Sequence, residues 1–414
     1  MRLLVVHDKP RGEVGGMNTL IAAQNALLAR AGCEVAELIC TVEPQPVSIH
    51  VRPSGRRVGW RAAGQLRSLL ERLRPDAVIL HSTYYAIGPS ALRWLVRHVP
   101  TVYVLHDVTP LCPRGTRITR SGARCRELQG IRCIASGCYR VGEQAGIGSD
   151  GYGLLMRALQ MRAARAVRSW VAPSAYLSDL LVQHGVRRDR VEVVHHFSEL
   201  RPDREREPVP GRLLFAGRLV PEKGIEVLVA ALGLLRTPHW SLHVAGDGPR
   251  RAGLANDLAR AGLGSRVRFL GALSPDALAR EYVQASVVVM PSLIPESFGL
   301  VGLESMAHGR PVVAFDSGGI AEWLRHGVTG LVAAWGDHAS LAAAADALLA
   351  RPEEAREMGL RGRRIALREF SPERHLERML AILDRAIADH GLSSQGTDKS
   401  AHRGRPAQDH RIVR

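Results

Sequence analysis

Short runs of aliphatic residues, each followed by a polar or glycine-bearing loop and then a helical stretch, recur along this chain. That recurrence limits the fold more than any other feature. LLVVH at 3–7 leads into DKPRGEVGGM and the helical TLIAAQNALLARAG, and AVIL at 77–80, TVYVLHD at 101–107, SWVAPS at 169–174 and VEVVHHF at 191–197 continue the pattern. Runs apolar on both faces suit strands of a parallel sheet covered by helices on each side. The charged, proline-bearing stretch RPDREREPVPG at 201–211 interrupts the pattern and reads as a linker. The pattern then restarts with RLLFAG, GIEVLVAALGLL, SLHVAGDGP, RVRFLGAL, SVVVMPS and PVVAFDSGG. The expectation is an α/β protein of two Rossmann-like domains facing across a cleft, spanning 1–200 and 212–370. SPERHLERMLAILDRAIADH, 371–390, reads as an amphipathic helix capped by Ser371 with Pro372 in its first turn, crossing back to the N-terminal domain. Residues 391–414 read as a disordered tail. Ligands of such sheets bind outside the carboxyl ends of the strands, which places a site between the domains.

A net charge of +16 favours anionic partners. The arginines are scattered rather than interleaved with aromatics, and no zinc-finger or RNP-like pattern occurs, so nucleic acid is not expected as a partner. MRLLVVHDKP has only a four-residue apolar run before a His-Asp pair, unlike a signal peptide, and no run approaches the ~18 apolar residues of a spanning helix. The expected location is cytoplasmic, with the inner membrane face as an alternative site of residence. LLMRALQMRAARAVRSW at 154–170 is an arginine-bearing amphipathic helix. It reads first as a helix packed on the sheet and second as a weak contact for an anionic membrane surface.

Chemistry concentrates in PESFGLVGLE, 295–304. Glu296 follows a buried strand, Ser297 is a candidate cap, and the helix from Gly299 onward is expected to bury Leu300, Leu303 and Ala307. Unbonded amides around Gly299 and Leu300 make a seat for phosphate oxygens. Glu304, inside the helix, suits the hydroxyl donors of a ribose, and a carboxylate among apolar neighbours needs such a donor. In LLFAGRLVPEKG, Arg218 and Lys223 leave a strand on a loop where two cations clamp a departing diphosphate. RxxxxK alone is common and usually solvated; its position at a strand end raises it. Gly15 and Gly16 permit close backbone approach but do not form the GxGxxG fingerprint. His106 and Asp107 end a strand at the crevice, and a hydrogen-bonded structural role for His106 stands equal to a functional one.

Taken in order, GG after the first strand, H-D, GR-x4-KG and E-x7-E with internal FG resemble retaining glycosyltransferases of family 4, which have the GT-B fold. The resemblance spans about residues 1–390. It implies that Glu296 lies by the donor sugar's hydroxyls, Glu304 binds the nucleotide ribose, and Arg218 and Lys223 neutralise the diphosphate. It also implies that His106 touches the 6-hydroxyl of the reacting sugar and that Gly16 approaches the diphosphate from the other domain, while Phe298, Gly299 and Leu300 belong to the helix-start seat. Gly318, Gly319 and Glu322 of DSGGIAEWLRHGVTGLV match the family's glycine-rich stretch, with Ala321 in place of its usual proline. His195 and His196 stand where an asparagine-glycine pair is common, on the acceptor side or at the hinge.

The activity implied is transfer of a sugar from a nucleoside-diphosphate donor, by default UDP-hexose or UDP-N-acetylhexosamine, to a hydroxyl acceptor of unknown identity. Glu296 is the one obvious nucleophile for a double displacement, but the resemblance favours front-side attack. No DxD motif is evident near a strand end, so no cofactor is expected for catalysis. The rivals are a phosphorylase-like or epimerase-like enzyme of the same fold, a nucleotide-sugar scaffold without turnover, a basic interaction protein for membrane or RNA, and a peripheral membrane glycosyltransferase with a lipid acceptor.

Cys112, Cys125, Cys133 and Cys138 crowd a polar, arginine- and glycine-rich stretch, read as a cysteine-bearing insertion at 110–140. The C-x2-C pairs of many zinc sites are absent, yet crowded thiols in a reducing compartment point to metal more than to disulfides. A structural zinc ion shaping the acceptor side is one expectation, and similar insertions in some family members point the same way. Free thiols or an iron–sulfur cluster are the alternatives. Cys33 and Cys40 read as reduced core residues.

Overall fold

The computed structural model describes residues 1–8, 16–40, 60–81, 87–138, 147–198 and 207–401. The N-terminal half runs β1 (Arg2–Asp8), α1 (Gly16–Arg30), β2 (Glu34–Cys40), α2 (Trp60–Leu73), β3 (Ala77–His81), α3 (Pro89–His98), β4 (Thr101–Val104), α4 (Ile131–Ala135), α5 (Ile147–Ala164), β5 (Ser169–Ala172), α6 (Ala175–Gln183) and β6 (Val191–Val193). All six strands pair in parallel in the order β2-β1-β3-β4-β5-β6. The C-terminal half runs β7 (Arg212–Ala216), α7 (Ile225–Leu232), β8 (Ser241–Ala245), α8 (Arg251–Arg260), β9 (Val267–Gly271), α9 (Pro275–Gln284), β10 (Val287–Met290), α10 (Leu300–Ala307), β11 (Val312–Phe315), β12 (Gly330–Ala333), α11 (His338–Leu349), α12 (Pro352–Glu369) and α13 (Pro372–Ala401). Its sheet, also parallel, has the order β12-β11-β10-β7-β8-β9.

Both sheets are doubly wound, as the doubly apolar runs require. β3, β4, β10 and β11 are buried along their whole length, because helices cover both faces and leave no place for alternating polar residues. In each sheet the chain steps outward from its first strand on one side, then returns to build the other. The reversal falls between β1 and β3 in the first sheet and between β7 and β10 in the second. Crevices open at such reversals, and the strand ends carrying Arg218 and Glu296 lie at the second one.

One face of the first sheet is completed from the far end of the chain. Met379, Ile382, Leu383 and Ala386 of α13 pack with Leu3, Val5, Ile79 and Val102. Ser371 caps α13, its Oγ accepting from the Arg374 amide at 3.3 Å, and Pro372 opens the helix. The helix keeps its turn to Ala401, beyond Gly391, where the sequence suggested a tail from 391. A glycine inside a long helix costs only about 1 kcal/mol, and an established helix propagates far more easily than it nucleates. Residues 402–414 of that expected tail, and 201–206 of the expected linker, lie outside the described residues.

α5 packs against α3 in the first half; it ends at Ala164, not at 170 as the sequence suggested, because Ser169–Ala172 form β5. Its inward side is partly polar: Arg157 donates to the Thr109 carbonyl at 2.5 Å and Gln160 to the Ile87 carbonyl at 2.8 Å. Leu155 and Leu159 face outward. Among the described residues, no helix is long and apolar enough to cross a membrane.

Candidate active site between the two sheets

The loop after β10 and the loop after β7 are tied together before any side chain acts. The amide of Leu293 donates to the Glu222 carbonyl at 3.0 Å. Gly224, with φ 71°, passes so close that a Cβ would sit 1.8 Å from the Pro291 carbonyl oxygen, so only glycine fits there. This approach sets Lys223 against Glu296, Nζ to Oε1 at 2.6 Å. Ser292 Oγ donates to the same oxygen at 2.5 Å. The carboxylate is 12% exposed. Burial alone would raise its pKa, but Lys223, the Ser292 hydroxyl and Arg218 together outweigh burial and hold it below the usual carboxylate value. Glu296 is therefore an anion at neutral pH, and Arg218 is close enough to help keep it so.

The glycine-rich stretch seen in the sequence supports this carboxylate from behind. The Glu296 carbonyl accepts from the Gly319 amide at 2.7 Å, and a Cβ at Gly318 would lie 2.3 Å from that same oxygen. Phe298 is fully buried, its carbonyl accepting from Trp323 Nε1 at 2.6 Å. The cap of α10 is Gly299, in the left-handed region at φ 92°, and no side chain caps it. Ser297, the expected cap, lies too far upstream, because the helix starts only at Leu300. The first amides of α10 thus remain without intrahelical acceptors. Leu303 and Ala307 are buried as expected. Leu300 is only half-buried and packs with Leu20, Leu27 and Phe197 of the other half.

Glu304 meets the donor its position called for, and that donor is protein. Tyr282 Oη, from α9, donates to Glu304 Oε2 at 2.8 Å. Burial raises the Glu304 pKa, and the Tyr282 bond offsets part of that rise. Tyr282 is itself buried, with its ring stacked on His308 at 5.3 Å. Neither Tyr282 nor Ser292 was singled out from sequence. Tyr282 lies 22 positions from Glu304 in another helix, so no local pattern reveals it. Ser292 carried one weak signal, its position four residues before Glu296.

Contacts from the first half close over this loop cluster. Ser174 Oγ donates to the Ser297 carbonyl at 2.7 Å, and the Ala175 amide donates to Glu322 Oε1 at 2.6 Å. Gly16 faces Leu300 so closely that a Cβ would stand 3.2 Å from its Cδ1. Its neighbour Gly15 lies outside the described residues. Arg124 donates to the Asp316 carbonyl and lies 4.6 Å over the Trp335 ring. His195 and His196, flagged in the sequence, both lie against Phe298, at 5.6 and 5.5 Å between ring centres. His196 also meets His106 edge-on at 5.5 Å, so its ring bridges the end of β4 and the loop after β10. His106 is 5% exposed and its Nε2 lies 2.7 Å from His81 Nδ1. Burial pushes the His106 pKa down to about 3, so the ring is neutral.

The cysteine cluster is arranged differently from the zinc expectation. Cys112 joins the hydrophobic core beside Val108 and Leu111, and Cys133 is also buried. All four are free thiols, and burial raises the pKa of Cys133 and Cys138. Among the described residues, no group of three or more His, Cys, Asp or Glu side chains is placed to hold a metal ion. Cys133 and Cys138 each feel the charge of Cys112 and Cys125, so the four thiols share one neighbourhood, but as positioned they form no coordination shell, and the core takes Cys112 as a small apolar residue.

Comparison with known proteins bears on this geometry. Residues 14–200 match the family model described as Glycosyltransferase Family 4, and residues 210–351 the model described as Glycosyl transferases group 1. The first match runs through 110–140 and does not single that stretch out as an insertion. D-inositol 3-phosphate glycosyltransferase of Nocardia farcinica is 30% identical over 407 residues, covering 87% of this chain and 83% of that protein. The protein of the same name from Salinispora tropica is 30% identical over 438 residues, covering 93% and 84%. Among solved structures, HepE of Anabaena in complex with UDP aligns with a TM-score of 0.67 at 19% identity, covering 93% of this chain and 100% of that one. Sucrose-phosphate synthase of Thermosynechococcus elongatus gives 0.66 at 19%, covering 94% and 99%. These two establish the architecture, two Rossmann-like units in the GT-B arrangement. With sequence matches across both halves, the chain is a member of glycosyltransferase family 4.

Proposed function

We propose that this chain transfers a sugar from a nucleoside-diphosphate sugar to a hydroxyl acceptor, with retention at the anomeric carbon. The observation that carries the reading is the convergence of Lys223, Glu296 and the open start of α10 at the reversal of the second sheet, directly facing Gly16 of the first half. The diphosphate sits against the amides of Gly299 and Leu300, with Arg218 and Lys223 neutralising it as it leaves. Glu304, held by Tyr282, takes the ribose hydroxyls. Glu296, kept ionised by Lys223, accepts from the donor sugar's hydroxyls, and His106 lies at the sugar's 6-hydroxyl. The anomeric carbon–oxygen bond to diphosphate breaks while the acceptor oxygen bonds on the same face, and its proton passes to the leaving phosphate oxygen. No step needs a cofactor.

UDP is the first nucleotide to test, given the ligand in the Anabaena structure. The names of the relatives make a phosphorylated cyclitol the first acceptor class to screen. Leu155 and Leu159, exposed on α5 beside the exposed Arg162, support a second reading in which the same enzyme rests on an anionic membrane. Calorimetric titration with UDP, GDP and ADP tests the main reading. Saturable binding of one diphosphate, weakened in Arg218→Ala and Lys223→Ala, is the expected result. Absence of binding to all three would overturn it in favour of a scaffold.

A further inference from the structure

Behind His106 runs a line of buried polar side chains that the proposed chemistry leaves unused. His106 Nε2 lies 2.7 Å from His81 Nδ1, at the end of β3. The other nitrogen of His81, Nε2, lies 3.4 Å from the side-chain amide of Gln24 on α1. The second heteroatom of that amide lies 3.1 Å from Nε2 of His375 on α13. His375 Nδ1 lies 2.8 Å from the carbonyl oxygen of His195, beside the crossing between the halves. Gln24, His81, His106 and His375 are all less than 10% exposed.

Such a line has a direction, and its end point sets it. The His195 carbonyl can only accept, so His375 Nδ1 must carry a proton and donate. A neutral imidazole has one N–H, so His375 Nε2 must then accept. Burial brings His375 down to about 4 and keeps it neutral. Its partner in Gln24 must therefore be the amide N–H, which leaves the amide oxygen facing His81. The opposite orientation puts the amide nitrogen toward His81. That orientation would require a charged His375, and the two ends of an amide are interchangeable in shape. With the oxygen toward His81, that histidine donates from Nε2 and accepts at Nδ1, and among the described residues the donor placed at Nδ1 is His106 Nε2–H, 2.7 Å away.

We propose that His81, Gln24 and His375 are positioning residues that hold His106 as its Nε2–H tautomer through a one-way hydrogen-bond line anchored on the His195 carbonyl. The consequence is that Nδ1 of His106 is an acceptor, the form of the ring that receives a hydrogen bond from a sugar hydroxyl. The functional part rests on the proposed transferase role of His106; the tautomer itself does not. The line also joins α1, β3, the segment just after β4 and α13, so the His106 imidazole takes its state from α13, which packs on the first sheet.

The test is nitrogen NMR of the full chain labelled with 15N at histidine, with His106 identified by the signal lost in His106→Gln. The expected result is a neutral ring protonated at Nε2. A ring protonated at Nδ1, or an even mixture, would overturn the proposal whether or not the protein transfers sugar. Kinetics supply the second readout. Gln24→Met breaks the line and is expected to lower kcat about tenfold, the size of effect typical when an orienting partner is lost, with donor KM within about twofold. Gln24→Glu restores an acceptor to His81 and is expected to recover most of kcat. Equal losses in both variants, with an unchanged His106 tautomer, would also overturn the positioning role. Absence of nucleotide binding in calorimetry, by contrast, would reject the transferase reading and leave the tautomer result standing.

Discussion

Replacing Lys223 with methionine isolates the pair at the centre of the site. The change keeps the stem of the side chain and removes the ammonium that lies 2.6 Å from Glu296. Breaking a fully buried pair costs about 3–5 kcal/mol because one charge is left without compensation. Here the partners are 23% and 12% exposed, and Ser292 and Arg218 still favour the carboxylate, so about 2 kcal/mol is expected near pH 7.5. The pH dependence follows from the direction of the shift. In the native chain the Glu296 pKa is lowered, so it adds stability above the unfolded pKa that is lost as pH falls through the folded one. In the variant burial dominates and the folded pKa rises, so the penalty shrinks on acidification as the group takes a proton. The difference between the proteins should fall below about 1 kcal/mol near pH 5. Urea unfolding followed by tryptophan fluorescence at both pH values measures it, and Lys223→Met/Glu296→Gln should recover most of the loss at the higher pH. A loss that is the same at both pH values, with no recovery in the double variant, would refute the pairing argument.

Tyr282→Phe removes the hydroxyl that donates to Glu304; UDP affinity by calorimetry should drop about tenfold, the loss growing as pH falls because the Glu304 pKa rises further. An unchanged affinity would take Glu304 out of the nucleotide seat. Gly302→Ala would place a Cβ 1.9 Å from the Trp323 ring, and a melting curve should show a loss of about 3 kcal/mol or more; a neutral result would mean that Trp323 has room to move. Acid should unfold the protein through its buried histidines. His375 and His106 are lowered to about 4 and about 3, so the stability they add is complete above pH ~6.5 and is lost as pH falls toward those values. Circular dichroism against pH should show the fall beginning below pH ~6, and stability flat down to pH ~4 would contradict their neutral burial.

What could be read from the sequence followed from local periodicity. Runs such as VVVM and TVYV are strands because nothing in them tolerates water, and the break at 201–211 separates two sheets for the same reason. Glu296, Lys223 and the start of α10 stand out as candidates in the sequence because they lie on strand-end loops, where such folds place ligands. Their mutual contact was not, since it depends on how Glu222 meets Leu293 across 71 positions. Glu304 visibly needed a donor, but nothing local names Tyr282. The line behind His106 is further out of reach, because it joins residues 24, 81, 106 and 375 from four separate elements. The cysteines were legible in part: crowding in sequence does bring Cys112, Cys125, Cys133 and Cys138 into one neighbourhood, but nothing local reveals that Cys112 also joins the core and that no metal-holding group forms among the described residues.

The contribution of α13 to the first sheet bears on how the protein is made. A ribosome delivers Leu3, Val5, Ile79 and Val102 long before Met379, Ile382, Leu383 and Ala386 of α13, which cover them. Until α13 has emerged, the first sheet carries an uncovered aliphatic face while the second half emerges and folds beside it. A premature stop anywhere before residue 379 therefore harms the portion synthesised first, and leaves it a sticky client for chaperones rather than a smaller working enzyme.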